Sequence, residues 1–318
     1  MLNLLLLLVG FIPLIYGANV LVDSASSLAK KLNVPNMVIG LTIVAFGTSA
    51  PELTINIIAS LKGESDIALG NIIGSNIFNV AGIAGLAAII YPIAIKPKTA
   101  WIEIPLGFLA ALVVILTAGD IFLNGDKVSV INRTDGILFL LFFCIFLAYI
   151  INYTLSTPNE DEAPVKQRSV WLSIILIIAG LALLILGGKI VVMFAVKFAQ
   201  QIGLSERIIA LTIVAIGTSL PELAIFLIGA RKKSIDIAMG NIVGSSIFNI
   251  FFILGISAII NPVYVQEKSY FDMFVNLFIS ILLFVFVFTG KGRVIDKKEG
   301  IIFVTLYVGY IFALLKMA

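Results

Sequence analysis

The most constraining feature of this sequence is an internal duplication. Residues 40–79 align without a gap with residues 210–249, and 25 of the 40 positions are identical at a constant offset of 170. The first segment reads GLTIVAFGTSAPELTINIIASLKGESDIALGNIIGSNIFN and the second reads ALTIVAIGTSLPELAIFLIGARKKSIDIAMGNIVGSSIFN. The same offset relates AIIYP at 88–92 to AIINP at 258–262. Self-similarity at one fixed spacing indicates two structural repeats.

Both repeats are too apolar for a water-soluble domain. Hydrophobic residues make up 60% of the chain and charged residues 12%, about half the charged share of a soluble protein. A transmembrane helix needs about 20 predominantly apolar residues. The chain contains ten such stretches, at about residues 2–22, 37–61, 67–90, 100–119, 136–154, 170–192, 207–230, 237–260, 271–289 and 300–316. The sequence therefore predicts an all-α polytopic membrane protein with ten transmembrane helices.

The ten predicted helices divide into two groups of five. We predict a first five-helix repeat over residues 1–155, a linker over 156–169 and a second five-helix repeat over 170–318. Because five is an odd number, the second repeat enters the membrane with the opposite orientation to the first. Inverted repeats are typical of secondary transporters, whose substrate site is expected where the repeats meet near the middle of the bilayer.

Basic residues indicate which side of the membrane each connection faces. With the N-terminus outside, 13 of the 21 lysine and arginine residues fall in cytoplasmic connections and 8 on the outer side. Cytoplasmic connections carry an excess of these residues. We therefore predict a multi-pass protein of the cell membrane, with both termini outside and the linker in the cytoplasm. The net charge of +3 lies in these short connections and does not indicate a nucleic-acid partner. We expect the chain to function as a monomer within the lipid bilayer.

A proline interrupts one predicted helix in each repeat. Pro51 has no N–H group, so the carbonyl of Gly47 loses its helical hydrogen-bond donor, and Pro221 does the same to Gly217. In hydrocarbon, such a carbonyl is tolerated only where it faces protein or lines a polar cavity. The sequence thus predicts that helices 2 and 7 are broken at equivalent positions.

A carboxylate follows each of these prolines. Glu52 is the sole charged residue of segment 37–61, and Glu222 is the sole one between residues 208 and 230. A buried carboxylate costs several kcal/mol unless it is protonated, paired or bound to a cation. Two carboxylates would neutralise one Ca²⁺, so a divalent cation is the natural partner.

Neutral oxygen donors accompany the two carboxylates. Ca²⁺ takes six to eight oxygen ligands, and Na⁺ also prefers oxygen. Threonine and serine hydroxyl groups flank each helix break. In the helix that follows each broken helix, two asparagines and a serine recur at i, i+4 and i+8, which places them on one helix face. They are Thr48, Ser49, Thr218 and Ser219 at the breaks, Asn71, Ser75 and Asn79 in helix 3, and Asn241, Ser245 and Asn249 in helix 8. Small polar residues also serve close helix packing, but duplication together with buried carboxylates favours an ion-binding site.

Several other classes of protein are excluded or disfavoured. The chain has no histidine, which excludes histidine zinc sites and Ser–His hydrolases, and it has no Walker A loop. We therefore expect neither an enzyme nor a cofactor. An intramembrane hydrolase lacks a visible nucleophile and base. A passive cation channel would more naturally form from a symmetric oligomer around a pore, whereas a fused inverted repeat favours alternating access.

The motifs GTSAPE…GNIIGSNIFN and GTSLPE…GNIVGSSIFN resemble the two alpha-repeats of the cation/calcium exchanger superfamily, in the form of the prokaryotic sodium/calcium exchangers. The resemblance covers essentially the whole chain. It implies ten helices in two inverted halves and an electrogenic antiport in which several Na⁺ ions enter as one Ca²⁺ leaves. The transported ions Ca²⁺ and Na⁺ are then the only small partners expected.

The resemblance also assigns ligands, position by position. It implies a central calcium site at Glu52 and Glu222 with the carbonyls of Thr48 and Thr218. It implies one flanking sodium site at Ala45, Ser49 and Ser75, and another at Ala215, Ser219 and Ser245. It places Asn79 and Asn249 at the middle position. Some members of the superfamily carry aspartate where this chain has Asn249. Members of the proton/calcium branch carry a Gly-Asn motif where this chain has Gly-Thr-Ser. The resemblance therefore implies Na⁺ coupling, with H⁺- or K⁺-coupled antiport as the alternatives.

Overall fold

The structure is almost entirely helical. The computed structural model describes residues 2–156, 168–202, 215–289 and 292–317. Its helices are α1 (Leu2–Leu32), α2 (Asn36–Thr48), α3 (Ala50–Lys62), α4 (Ser65–Ile90), α5 (Thr99–Thr117), α6 (Asp120–Leu123), α7 (Arg133–Ser156), α8 (Val170–Gln201), α9 (Ala215–Thr218), α10 (Leu220–Arg231), α11 (Ile235–Ile260), α12 (Glu267–Phe288) and α13 (Lys297–Met317). Its strands are β1 (Ile93–Ala94), β2 (Ser129–Ile131), β3 (Val263–Val265) and β4 (Val294–Ile295).

Most of these helices can cross a membrane. Within the described ranges, eight helices are long and apolar enough to do so, and the bent pair α2 and α3 makes a ninth span. The start of the predicted seventh helix, at residues 207–214, lies outside the described residues, and its continuation is the pair α9 and α10.

Two helices are longer than their apolar stretches predict. Helix α1 continues to Leu32, although its apolar stretch was expected to end at about residue 22, and α8 continues to Gln201 instead of about residue 192. The physical reason in α1 is that two serines of the extension have hydrogen-bond partners: Ser24 Oγ donates to the carbonyl of Val20 at 2.7 Å, and Ser27 Oγ accepts from the backbone amide of Arg168 at 2.9 Å. Hydropathy thus marks only the apolar part of a helix, whereas the helical hydrogen bonds of the backbone continue beyond that part.

The chain forms two compact units. Unit 1 comprises Met1–Thr48, Asn152–Ile242 and Thr305–Ala318, and unit 2 comprises Ser49–Ile151 and Val243–Val304. Each unit takes segments from both predicted repeats, because the units reflect spatial packing and the repeats reflect sequence symmetry. The repeat boundaries at residues 155 and 170 stay a prediction, and linker residues 157–167 lie outside the described ranges.

Unit 1 is organised by the contact between α1 and α8. These helices pack along their length with almost no space for side chains at two glycines. A Cβ added to Gly17 would lie 2.8 Å from the carbonyl oxygen of Gly180, and one added to Gly187 would lie 2.5 Å from the amide nitrogen of Leu14. Small residues that let backbones approach closely are a general means of packing helices in membranes.

Unit 2 contains two short antiparallel ladders. Strand β1 pairs with β4, and β2 pairs with β3. Residues 129–131 and 263–265 therefore lie on the same side of the membrane, which requires an even number of crossings between them.

Candidate ion-binding site

Both predicted helix breaks are present at equivalent residues. Ser49 separates α2 from α3 with φ −81° and ψ 5°, and Ser219 separates α9 from α10 with φ −94° and ψ 12°. In each case the proline lies in the first turn of the following helix, where its missing N–H has no helical partner to lose. The helices restart cleanly, since the amide of Leu53 donates to the carbonyl of Ser49 at 3.0 Å.

In unit 2, Glu52 lies in the first turn of α3 and is 1% exposed. Its Oε1 accepts a hydrogen bond from Ser75 Oγ at 3.3 Å, and its backbone carbonyl accepts one from Asn71 Nδ2 at 3.3 Å. A negative charge is favourable at a helix N-terminus because the helix dipole is positive there. The fold thus places a carboxylate in the interior of a membrane protein and orients one of its oxygens from α4.

A clamp of two asparagines connects the α3 turn that carries Glu52 to α4. Asn71 Nδ2 also donates to Asn56 Oδ1 at 2.6 Å, and Asn56 Nδ2 donates to the carbonyl of Ala68 at 3.0 Å and to Ser257 Oγ at 3.1 Å. Sequence analysis missed Asn56 because its counterpart at an offset of 170 is Phe226, so it belongs to no duplicated motif. The available signal was a lone amide in an apolar helix, four residues after Glu52.

Unit 2 also contains buried oxygens that lack hydrogen-bond partners among the described residues. Burying a polar oxygen without a partner is costly, and a bound cation or water would remove that cost. On the neutral predicted ligands these atoms are Ser49 Oγ, Asn79 Oδ1, Ser245 Oγ and Asn249 Oδ1. Each of these residues is at most 3% exposed. The set consists of hydroxyl and amide oxygens, which suits Na⁺ and Ca²⁺.

The amide of Asn249 is held by a residue that sequence analysis did not single out. Asn249 Nδ2 donates to Asn76 Oδ1 at 2.9 Å, and Asn76 Nδ2 donates to the carbonyl of Ser246 at 3.2 Å. Asn76 is 2% exposed. Its counterpart in the second repeat is Ser246, so the duplication gave no sign of its importance.

Unit 1 contains the remaining predicted ligands. Thr48 is fully buried, and its Oγ1 lies 3.0 Å from Asn241 Oδ1 and 3.4 Å from the carbonyl of Ala45. Glu222 lies in the first turn of α10 and is 1% exposed. Ser219 is fully buried at the break, Thr218 is half-buried, and Ala215 begins α9.

Within each unit, the structure brings side chains of these residues into hydrogen-bond contact with one another. Glu52 contacts Ser75 in unit 2, and Thr48 contacts Asn241 in unit 1. In the described ranges, no group of three or more Asp, Glu, Cys or His residues could hold a metal ion. A cation bound by these residues must therefore rely on neutral oxygens as well as carboxylates.

Comparison with known proteins identifies the family. The model of the family described as sodium/calcium exchanger protein matches residues 2–152 and 172–316. The chain is 39% identical over 324 residues to the putative antiporter CaxA of Alkalimonas amylolytica, covering 96% of this chain and 97% of that protein. It is 34% identical over 348 residues to the sodium/calcium exchanger MaX1 of Methanosarcina acetivorans, covering 98% of each.

A solved structure matches the same length of chain. The sodium-calcium exchanger NCX_Mj, soaked with 10 mM Na⁺ and zero Ca²⁺, superposes with a TM-score of 0.83 at 31% identity, covering 98% of this chain and 99% of that one. The predicted all-α fold of ten transmembrane helices in two inverted repeats, broken in helices 2 and 7, is confirmed by this match. These relatives are exchangers and not enzymes, as predicted. The chain belongs to the sodium/calcium exchanger family.

Proposed function

We propose that this chain exchanges Na⁺ for Ca²⁺ across the cell membrane by alternating access. Membership of the exchanger family makes it a cation antiporter. The observation that carries the choice of ions is a set of buried oxygens in unit 2: the Glu52 carboxylate at a helix break, the Ser75 hydroxyl on it, and oxygens of Asn79 and Asn249 that have no hydrogen-bond partner among the described residues. This set offers hard oxygen ligands and few charges, which suits Ca²⁺ and Na⁺.

The two carboxylates and the neutral oxygens have different roles in this proposal. Glu52 and Glu222 together supply about −2, which balances one Ca²⁺, and the carbonyls of Thr48 and Thr218 complete its ligands. The sodium positions share these two carboxylates and add the neutral oxygens around them, with Asn79 and Asn249 in the middle. The residues proposed for the flanking sodium positions are Ala45, Ser49 and Ser75 in the first repeat, and Ala215, Ser219 and Ser245 in the second. Because both ions draw on the same carboxylates, binding of one excludes the other, and exclusion couples their movements.

The remaining features follow the same scheme. We propose that residues 1–155 and 170–318 are the two repeats, that both termini lie outside the cell membrane, and that the chain transports as a monomer in the lipid bilayer. The ladder of β2 with β3 supports this topology, because it requires an even number of crossings between residues 131 and 263. A protein that moves only these two ions needs no cofactor.

The test is ⁴⁵Ca²⁺ uptake into proteoliposomes that contain the purified chain. Outward gradients of Na⁺, of K⁺ and of protons are imposed separately, with protein-free vesicles as the control. We expect uptake to be driven by the Na⁺ gradient and to exceed the uptake under the other two gradients. Uptake driven by the proton gradient or by the K⁺ gradient alone would replace Na⁺ coupling with one of its alternatives. Ca²⁺ movement into and out of the vesicles that needs no counter-ion gradient would indicate a channel.

A further inference from the structure

We propose that Asn76 is a positioning residue that makes Asn249 present its amide oxygen, and not its amide nitrogen, to the transported cation. The inference rests on the proposed function, because it specifies how one of the proposed ligands acquires its chemistry. It comes from a hydrogen-bonded chain within unit 2 that runs from the carbonyl of Ser246 through Asn76 to Asn249.

The direction of this chain is fixed at one end. The carbonyl of Ser246 can only accept, so Asn76 must turn its nitrogen toward it, at 3.2 Å. Asn76 Oδ1 then faces Asn249 and accepts from its Nδ2 at 2.9 Å. The remaining atom of the second amide, Asn249 Oδ1, is buried and has no hydrogen-bond partner among the described residues.

The reversed arrangement is unfavourable at each step. Turning Asn249 alone would bring its oxygen against Asn76 Oδ1, so that two acceptors would face each other without a proton between them. Turning both amides would bring Asn76 Oδ1 against the carbonyl of Ser246 instead. Because all three residues are at most 9% exposed, water cannot readily relieve either clash. The backbone carbonyl therefore sets the orientation of both side chains.

This orientation matters because an asparagine, unlike an aspartate, has two chemically different ends. An amide oxygen can bind a cation, whereas an amide NH₂ directed at the same position would repel it. An aspartate would present oxygen in either orientation and would not need the anchor. Asn76 thus lets a neutral residue serve as a cation ligand, without adding a charge to the site.

The experiment measures equilibrium binding of ⁴⁵Ca²⁺, and its competition by Na⁺, to the purified full chain in detergent. Asn249→Ala identifies which ion Asn249 binds. Asn76→Ala should weaken binding of that same ion by about tenfold, the equivalent of one lost buried hydrogen bond. It should weaken binding no further in an Asn249→Ala background, and it should have little effect in an Asn249→Asp background.

Two further variants separate positioning from a general loss of structure. Asn76→Gln keeps both a donor for the carbonyl of Ser246 and an acceptor for Asn249 Nδ2, and should weaken ion binding less than Asn76→Ala does. Asn261→Ala removes another side-chain-to-carbonyl hydrogen bond of unit 2, from Asn261 Nδ2 to Ser60 at 3.3 Å, and should leave ion affinity unchanged. Thermal unfolding and size-exclusion chromatography, measured separately on each variant, check that it folds.

The outcomes distinguish the inference from the proposed function. Additive losses from Asn76→Ala and Asn249→Ala, an unchanged affinity in Asn249→Ala, or a loss in Asn76→Gln equal to that in Asn76→Ala would overturn the role of Asn76, even in a chain that exchanges Na⁺ for Ca²⁺. A wild-type chain that shows this non-additive pattern of binding, but no Na⁺-driven Ca²⁺ transport, would overturn the proposed function alone.

Discussion

Glu52→Gln is the substitution whose consequence follows most directly from the structure. Glutamine has nearly the same shape as glutamate, and its Oε1 can still accept the hydrogen bond from Ser75 Oγ that is 3.3 Å long in the wild-type chain. The substitution therefore removes a charge while keeping the packing of a side chain that is 1% exposed. We expect the variant to fold and to lose Ca²⁺ binding.

The size of the loss can be estimated from the charges. At about 4 Å and an effective dielectric constant of about 20, a unit charge and a divalent ion attract each other by about 8 kcal/mol, twice the value for two unit charges. If half of this attraction is offset by the hydration that the carboxylate loses on binding, about 4 kcal/mol remains. That remainder corresponds to about a thousandfold weaker Ca²⁺ binding.

The assay compares ⁴⁵Ca²⁺ binding and proteoliposome uptake for Glu52→Gln with the matched control Glu103→Gln. Glu103 is also a fully buried carboxylate of unit 2, in α5, and it accepts a hydrogen bond from Tyr149. The same substitution there should change Ca²⁺ affinity far less than Glu52→Gln does, since Glu103 is outside the proposed ligand set and its Oε1 already accepts the hydrogen bond from Tyr149. Normal Ca²⁺ binding in Glu52→Gln, or an equal loss in Glu103→Gln, would refute the reasoning.

Three further predictions concern topology, packing and the asparagine clamp. In a Cys144→Ala background, a cysteine replacing Lys62 should react with an impermeant thiol reagent from outside and one replacing Arg231 only from inside; labelling from the same side would contradict the inverted repeats. Gly17→Val should lower the thermal midpoint, because its Cβ would lie 2.8 Å from a carbonyl oxygen of α8 and overpacking costs about 1–3 kcal/mol; an unchanged midpoint would mean that the two helices separate at little cost. Asn71→Leu removes two hydrogen bonds and should destabilise the chain by about 1–2 kcal/mol, the range for such bonds within membranes, and stability equal to wild type in thermal unfolding would contradict the clamp.

The parts of the fold that sequence predicts well are those set by local chemistry. Proline without an N–H group determines where helices 2 and 7 break, and the breaks indeed fall at Ser49 and Ser219. Apolar length determines how many helices can cross the membrane. Helix ends are less predictable, because α1 continues to Leu32 through polar serines whose partners, the carbonyl of Val20 for Ser24 and the amide of Arg168 for Ser27, a hydropathy pattern does not show.

Features that depend on contacts between distant segments were not predictable. The strands are two or three residues long and show no alternating pattern, since they form only because loops from both halves of the sequence meet in unit 2. Asn56 and Asn76 were missed for a related reason. Duplication pointed to the proposed ligands, whereas Asn56 and Asn76 differ between the repeats, with Phe226 and Ser246 at the equivalent positions.

This difference shows how two repeats of similar sequence can acquire unequal surroundings. In unit 2, Asn71 donates its amide hydrogens to Asn56 and to the carbonyl of Glu52. In unit 1, the equivalent Asn241 instead contacts Thr48 through its oxygen atom at 3.0 Å. The equivalent asparagines of the two repeats therefore make different hydrogen bonds, and substitutions at Asn71 and Asn241 should affect ion binding unequally.

The central claim is that one set of buried oxygens binds Ca²⁺ or Na⁺ but not both. The most direct test is a titration of ⁴⁵Ca²⁺ bound to the purified wild-type chain with Na⁺, with choline at equal ionic strength as the control. We predict that Na⁺ displaces Ca²⁺ completely and with a Hill coefficient above about one, because several monovalent ions replace one divalent ion. Ca²⁺ affinity that Na⁺ lowers no more than choline does would contradict the claim.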